Sequence, residues 1–196
     1  MKLPNHDGAA IRSIQHITIA WMCVELLVAA IAGIRAHSVA LTAFAGDSAV
    51  ELFSAIVVLQ RFRMGPGSER VTAKVNAVLL YVLAVYIVVS SSLALFGRFR
   101  PQPSVFGIVL LVASAIIMPW LGASKKRLAL QTNSGALRAD AAQSNICAYM
   151  SWIALAGLVT NAVLHIPWAD SIAALLLLPL VLYEANEALK GKSCSC

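Results

Sequence analysis

Apolar stretches of roughly twenty residues follow one another almost without pause through this 196-residue chain, and about twenty apolar residues are what a helix needs to cross the hydrocarbon of a bilayer. Inside that hydrocarbon no water satisfies backbone N–H and C=O groups, so such stretches must be helices. Six spans fit the pattern, at residues 14–34, 39–59, 75–96, 105–120, 137–164 and 172–188. The fourth is expected to stop near Pro119, and the fifth to open with an amphipathic turn holding Arg138 and Asp140. The fold class read from this is all-α: a polytopic membrane protein, a six-transmembrane-helix bundle forming a single transmembrane domain over residues 1–196, with no soluble domain. Charged residues are only 12% of the chain and mean hydropathy is +0.80, which excludes an ordinary soluble globular domain. The first apolar segment has the length of a span and no small-residue cleavage site after it, so no cleaved signal peptide is expected.

The formal charge of +6 is not read as a nucleic-acid footprint, because in a membrane chain the place of each charge matters more than the sum. Placing both termini in the cytoplasm puts 12 of the 15 Lys and Arg inside and leaves Arg35, Arg98 and Arg100 outside, as the positive-inside rule expects. The inner runs around Arg61 to Arg70 and Lys125-Lys-Arg127 are expected to be solvated anchors at the lipid headgroups. Trp120 and Trp168 suit an interfacial belt, whereas Trp21 and Trp152 lie deeper and are expected to pack. Small residues such as Ala154-Leu-Ala-Gly157 allow helices to approach closely. Cys23 and Cys147 fall within spans, Cys194 and Cys196 end the chain, and free thiols are expected for all four. The four histidines make no metal-binding spacing.

Acids inside spans are the chemically informative feature. Asp47 and Glu51 stand four residues apart in the second span, which stacks them on one helical face. Glu25 lies in the first span, and Asp140, Gln143, Ser144, Cys147 and Ser151 mark one face of the fifth. No deeply placed Lys or Arg is expected to neutralise Glu25, Asp47 and Glu51, so the countercharge must be a cation or protons. Carboxylates alone suit hard cations, whereas a Cys147 thiolate draws the site toward zinc, cadmium, iron or copper. Metal binding would then expel protons. Blander roles stand beside these: Asp47 and Glu51 as a protonated interhelical pair, Cys147 as a small apolar residue, Glu25 as a structural hydrogen-bonding group rather than a relay, and Asp140 as a helix-start or salt-bridge acid beside Arg138 rather than an entry group. The terminal Cys194-Ser-Cys196 is a candidate metal-capture pair or an incidental end.

Gly46-Asp-Ser-Ala-Val-Glu51, Arg138-Ala-Asp-Ala-Ala-Gln-Ser-Asn-Ile-Cys147, and Pro167-Trp-Ala-Asp-Ser-Ile-Ala-Ala-Leu176 followed by Tyr183-Glu-Ala-Asn-Glu-Ala-Leu189 together resemble the cation diffusion facilitator, or cation efflux, family. The resemblance covers nearly the whole chain. It implies a homodimeric secondary transporter that exports zinc or a similar divalent cation from the cytoplasm against protons. It also implies a metal site of Asp47 and Glu51 with Gln143 and Cys147, the last two standing where histidine and aspartate are usual. The chain resembles the short, divergent branch that lacks the C-terminal cytoplasmic domain.

The expected function is therefore export of a divalent transition-metal cation by proton antiport, with metal ligands Asp47, Glu51, Gln143 and Cys147 and with Glu25 and Asp140 as pathway or supporting acids. The metal is substrate rather than cofactor, and the expected partners are the metal ion, protons, the lipid bilayer and a second copy of the chain. The expected site of action is the bacterial inner (plasma) membrane. A transport-inactive membrane metal-binding or interaction protein and a transporter of a small organic cation are the alternatives. No enzyme activity is expected.

Overall fold

The computed structural model describes residues 5–64, 69–98, 100–132 and 135–189. Six helices, α1 (Asn5–Ala36), α2 (Val39–Met64), α3 (Glu69–Leu95), α4 (Val105–Thr132), α5 (Gly135–Leu164) and α6 (Trp168–Leu189), account for nearly all of them, and no strand occurs among the described residues. Neighbouring helices close a ring in the order α1, α4, α5, α6, α3, α2, and α2 also reaches across it to α5 and α6. The helix with the acid pair is thereby the one that touches most of the others.

The surface is inverted relative to a protein in water. Leu27, Val85, Val109 and Ile116 are each more than 60% exposed, while Glu25, Asp47, Glu51, Lys125 and Glu184 are buried. A shell of exposed apolar side chains, with the ionisable groups withdrawn into the packed interior, is what lipid demands. Five helices are long and apolar enough to cross a membrane: Ser13–Ala36, Lys74–Leu95, Val105–Thr132, Asp140–Leu164 and Trp168–Leu189. The sixth, α2, has 26 residues and carries the two carboxylates; the side chains of most of its second half lie outside the described residues. The molecule is an all-helical, multi-pass integral membrane protein.

Two sequence expectations need correction here. The fourth span does not stop at Pro119: α4 runs on to Thr132. Pro119 is exposed, and the N–H it lacks interrupts one rung of the helix without ending it, a defect membrane helices tolerate. Residues 125–127 therefore sit on a helix, and of the three expected solvated anchors only Lys126 and Arg127 are exposed while Lys125 is buried. Trp152 does not pack inside the bundle but is 58% exposed toward lipid.

One end of the bundle is stitched by hydrogen bonds between connections. α1 ends with His37 in the left-handed region (φ 50°), where the N–H groups of Ser38 and His37 donate to the carbonyls of Gly33 (3.0 Å) and Ile34 (3.3 Å). This is a Schellman closure, usually completed by glycine. It turns the chain directly into α2. At the same end Gln102 N–H donates to the Ala36 carbonyl (2.7 Å) and Asn161 Nδ2 to the Pro101 carbonyl (3.1 Å). α5 and α6 approach so closely that a Cβ on Gly157 would strike the Ala173 side chain.

Candidate metal centre

Asp47 and Glu51 lie one turn apart on α2, so the helix itself aims both carboxyl groups toward α5. Cys147 meets them from α5. All three side chains are buried, and each offers a ligand atom within 4.8 Å of the others. None of the four carboxylate oxygens of Asp47 and Glu51 has a hydrogen-bond partner. Buried polar atoms are normally satisfied, and orphaned carboxylate oxygens facing one another beside a sulfur have the chemistry of a site that receives a cation.

The second layer is acidic as well. Glu25 on α1 is fully buried, accepts a hydrogen bond from Trp21 Nε1 (2.8 Å) with one oxygen and leaves the other unpartnered. Its charge couples to those of Asp47 and Glu51. Glu184 on α6, 4% exposed, sits beside Asp47 and Gln143, yet neither of its oxygens makes a well-formed hydrogen bond.

A family model for the cation efflux transmembrane domain matches residues 16–192. The chain belongs to the cation efflux family. That is a family of transporters rather than of enzymes. Among curated proteins, the manganese efflux system protein MneS of Bacillus subtilis (strain 168) is 24% identical over 189 residues, covering 90% of this chain and 65% of that protein. The uncharacterized transporter YdbO of the same organism is 24% identical over 173 residues, covering 82% and 59%. The chain thus spans roughly three fifths of the length of the curated relatives it matches. With its apolar helices and bacterial relatives, this cation efflux chain is a multi-pass protein of the bacterial plasma membrane.

Within this cation efflux fold, the residues singled out from sequence land unequally. Asp47, Glu51 and Cys147 come together. Gln143, half-buried one turn before Cys147, is a neighbour of Glu184. Glu25 joins the acid group. Asp140 does not pair with Arg138, which is exposed; its Oδ1 receives Lys125 Nζ (3.0 Å) and its Oδ2 receives Gln15 Nε2 (2.8 Å). Cys23 and Cys147 are free thiols, and Cys194 and Cys196 lie outside the described residues.

Three groups escaped the sequence reading. Lys125 is 1% exposed, donates also to Ser144 Oγ (3.0 Å) and acts electrostatically on Glu51, so the interior does contain a cation. The expectation of no deep Lys or Arg does not hold, because α4 continues past Pro119 and carries Lys125 inward. Glu184 was hidden in the polar end of α6, although its spacing from the buried Leu177 and Val181 puts it on their face. Asp170 lies within the Pro167–Leu176 stretch that carries the family resemblance. It caps α2: Ser38 Oγ donates to its Oδ1 (2.5 Å) and Val39 N–H to its Oδ2 (2.8 Å), while Leu41 N–H donates to Ser38 Oγ (3.1 Å). The acidic group thus satisfies the positive end of the helix that carries the acid pair.

Proposed function

We propose that this chain is a secondary transporter that exports a divalent transition-metal cation from the cytoplasm in exchange for protons, with Asp47, Glu51 and Cys147 as ligands and the Gln143 amide oxygen as a weaker fourth. The observation that carries the reading is the buried triad, whose ligand atoms lie within 4.8 Å while its carboxylate oxygens lack partners. Family membership supports cation export, and the name of one relative, a manganese efflux system protein, makes Mn2+ a necessary member of any substrate panel.

Charge balance supports the proton half of the cycle. Glu25, Asp47, Glu51 and Glu184 converge, and the one buried cation among the described residues, Lys125, is already engaged by Asp140. An interior without metal needs protons to offset those acids, and a divalent ion entering displaces them. Access from either side in turn would come from the helices rocking about the site. The reading includes both termini in the cytoplasm, on the placement of 12 of 15 basic residues, and a homodimer, as the resemblance implies.

The test is uptake of Mn2+, Zn2+, Co2+ and Cd2+ into proteoliposomes under an imposed pH gradient. Expected is gradient-dependent uptake of at least one ion that Asp47→Asn abolishes. Uptake indifferent to Asp47→Asn, or to the gradient, would sink the corresponding half of the proposal.

A further inference from the structure

Glu184 projects from α6 on the face that otherwise buries Leu177, Val181 and Ala185. An apolar side chain is what packing alone would place there. A carboxyl group withdrawn from water without hydrogen bonds is among the most destabilising substitutes, and such groups inside membranes mark ion pathways. Both Glu184 oxygens are unpartnered, the residue is 4% exposed, and its neighbours are Asp47, a member of the triad, and Gln143.

We propose that Glu184 is a metal ligand supplied by α6, and that it tilts the site toward oxygen-seeking divalent ions such as Mn2+ over thiol-seeking ones such as Cd2+. The proposal rests on the metal-transport reading of the triad. Asp47, Glu51 and Cys147 alone form a three-donor set with one sulfur, a pattern at home with four-coordinate zinc or cadmium. Glu184 lies outside the 4.8 Å triad but adjoins it through Asp47, and with the Gln143 carbonyl it raises the number of oxygen donors. An oxygen-rich shell of higher coordination number is what Mn2+ takes, and it dilutes the preference that Cys147 gives to soft metals.

A purely structural role makes a different claim. If Glu184 only shared a proton with Asp47 as a link between α6 and α2, Glu184→Gln would keep the hydrogen-bonding capacity and the volume, leaving metal affinity where it was. The experiment is equilibrium binding to the purified 196-residue chain in detergent, with Mn2+ followed by its electron paramagnetic resonance signal and Cd2+ by competition. Expected for Glu184→Gln is a loss of Mn2+ affinity of about 10-fold or more with a Cd2+ change of about 3-fold or less, while Asp47→Asn loses both ions. Glu184→Met provides a second variant suited to the apolar stripe. It is expected to lose Mn2+ preference in the same way and to melt at a higher temperature than the unsubstituted chain without metal. Wild-type affinity for both ions in either variant, alongside their loss in Asp47→Asn, overturns the ligand role of Glu184 and leaves the triad standing. Failure of the unsubstituted chain to bind either ion removes the triad reading and this proposal with it.

Discussion

Lys125 is the residue whose environment departs furthest from what its chemistry invites. It is 1% exposed as the first of a run of three cations, and its ammonium is held by Asp140 and Ser144 at 3.0 Å each. Removing one partner of such a pair leaves the other unsatisfied, so Lys125→Met is expected to destabilise the bundle by about 2 kcal/mol, the range of a hydrogen bond to a charged group. Asp140 is 29% exposed, which lets water compensate it in part. The double variant Lys125→Met with Asp140→Leu should recover most of that loss, because no buried charge then remains alone. A double-mutant cycle of thermal denaturation in detergent measures this; additive losses would mean that the two side chains do not act as a pair. Nothing in the local sequence distinguishes Lys125 from Lys126 and Arg127, which are exposed. Only helical phase separates them, and that phase becomes visible once α4 is known to continue past Pro119.

At the scale of elements, α2 depends on a group from the other side of the bundle. Its N-terminal N–H groups and the Ser38 hydroxyl converge on Asp170, the third residue of α6. Asp170→Ala is expected to cost about 2 kcal/mol, combining the loss of a cap with the loss of a negative charge at the positive end of a helix. Asp170→Asn should cost less, since an amide oxygen still accepts a hydrogen bond. Equal melting temperatures for both variants and the unsubstituted chain would contradict the capping role. The helices themselves were legible because apolar runs of span length have few alternatives in lipid. Their ends were less so: α1 is already helical at Asn5 and α3 at Glu69, ahead of the apolar windows, since backbone hydrogen bonding carries a helix beyond the hydrocarbon. Cross-chain ties such as Asp170 to Ser38 depend on which helices become neighbours, which span length does not encode.

For the molecule as a whole the decisive quantity is interior charge. Asp47 and Glu51 were legible because a four-residue spacing in an apolar run fixes a shared face, and Cys147 because it lies on the polar face of α5. Glu184 became visible only when α6 was seen against α2, since its neighbours in sequence, Asn186 and Glu187, make it read as part of a polar helix end. Four buried carboxyl groups acting on one another, with Lys125 already paired, cannot all be ionised without a compensating cation. On the proposed exchange mechanism, binding of a divalent ion to this interior is expected to release protons, about one to two per ion. The expected observation is acidification of a weakly buffered solution of detergent-solubilised protein on adding the transported ion, followed with an indicator dye. The signal should saturate with the binding isotherm and vanish in Asp47→Asn. Because proton release and metal affinity are linked, the same ion should bind more tightly as pH rises through the range where the release is seen. Metal binding with no proton release, and with affinity independent of pH, would mean that the acids are ionised before the ion arrives. The exchange mechanism would then fail while the ligand assignment stood, because the charge balance that drives antiport would be missing.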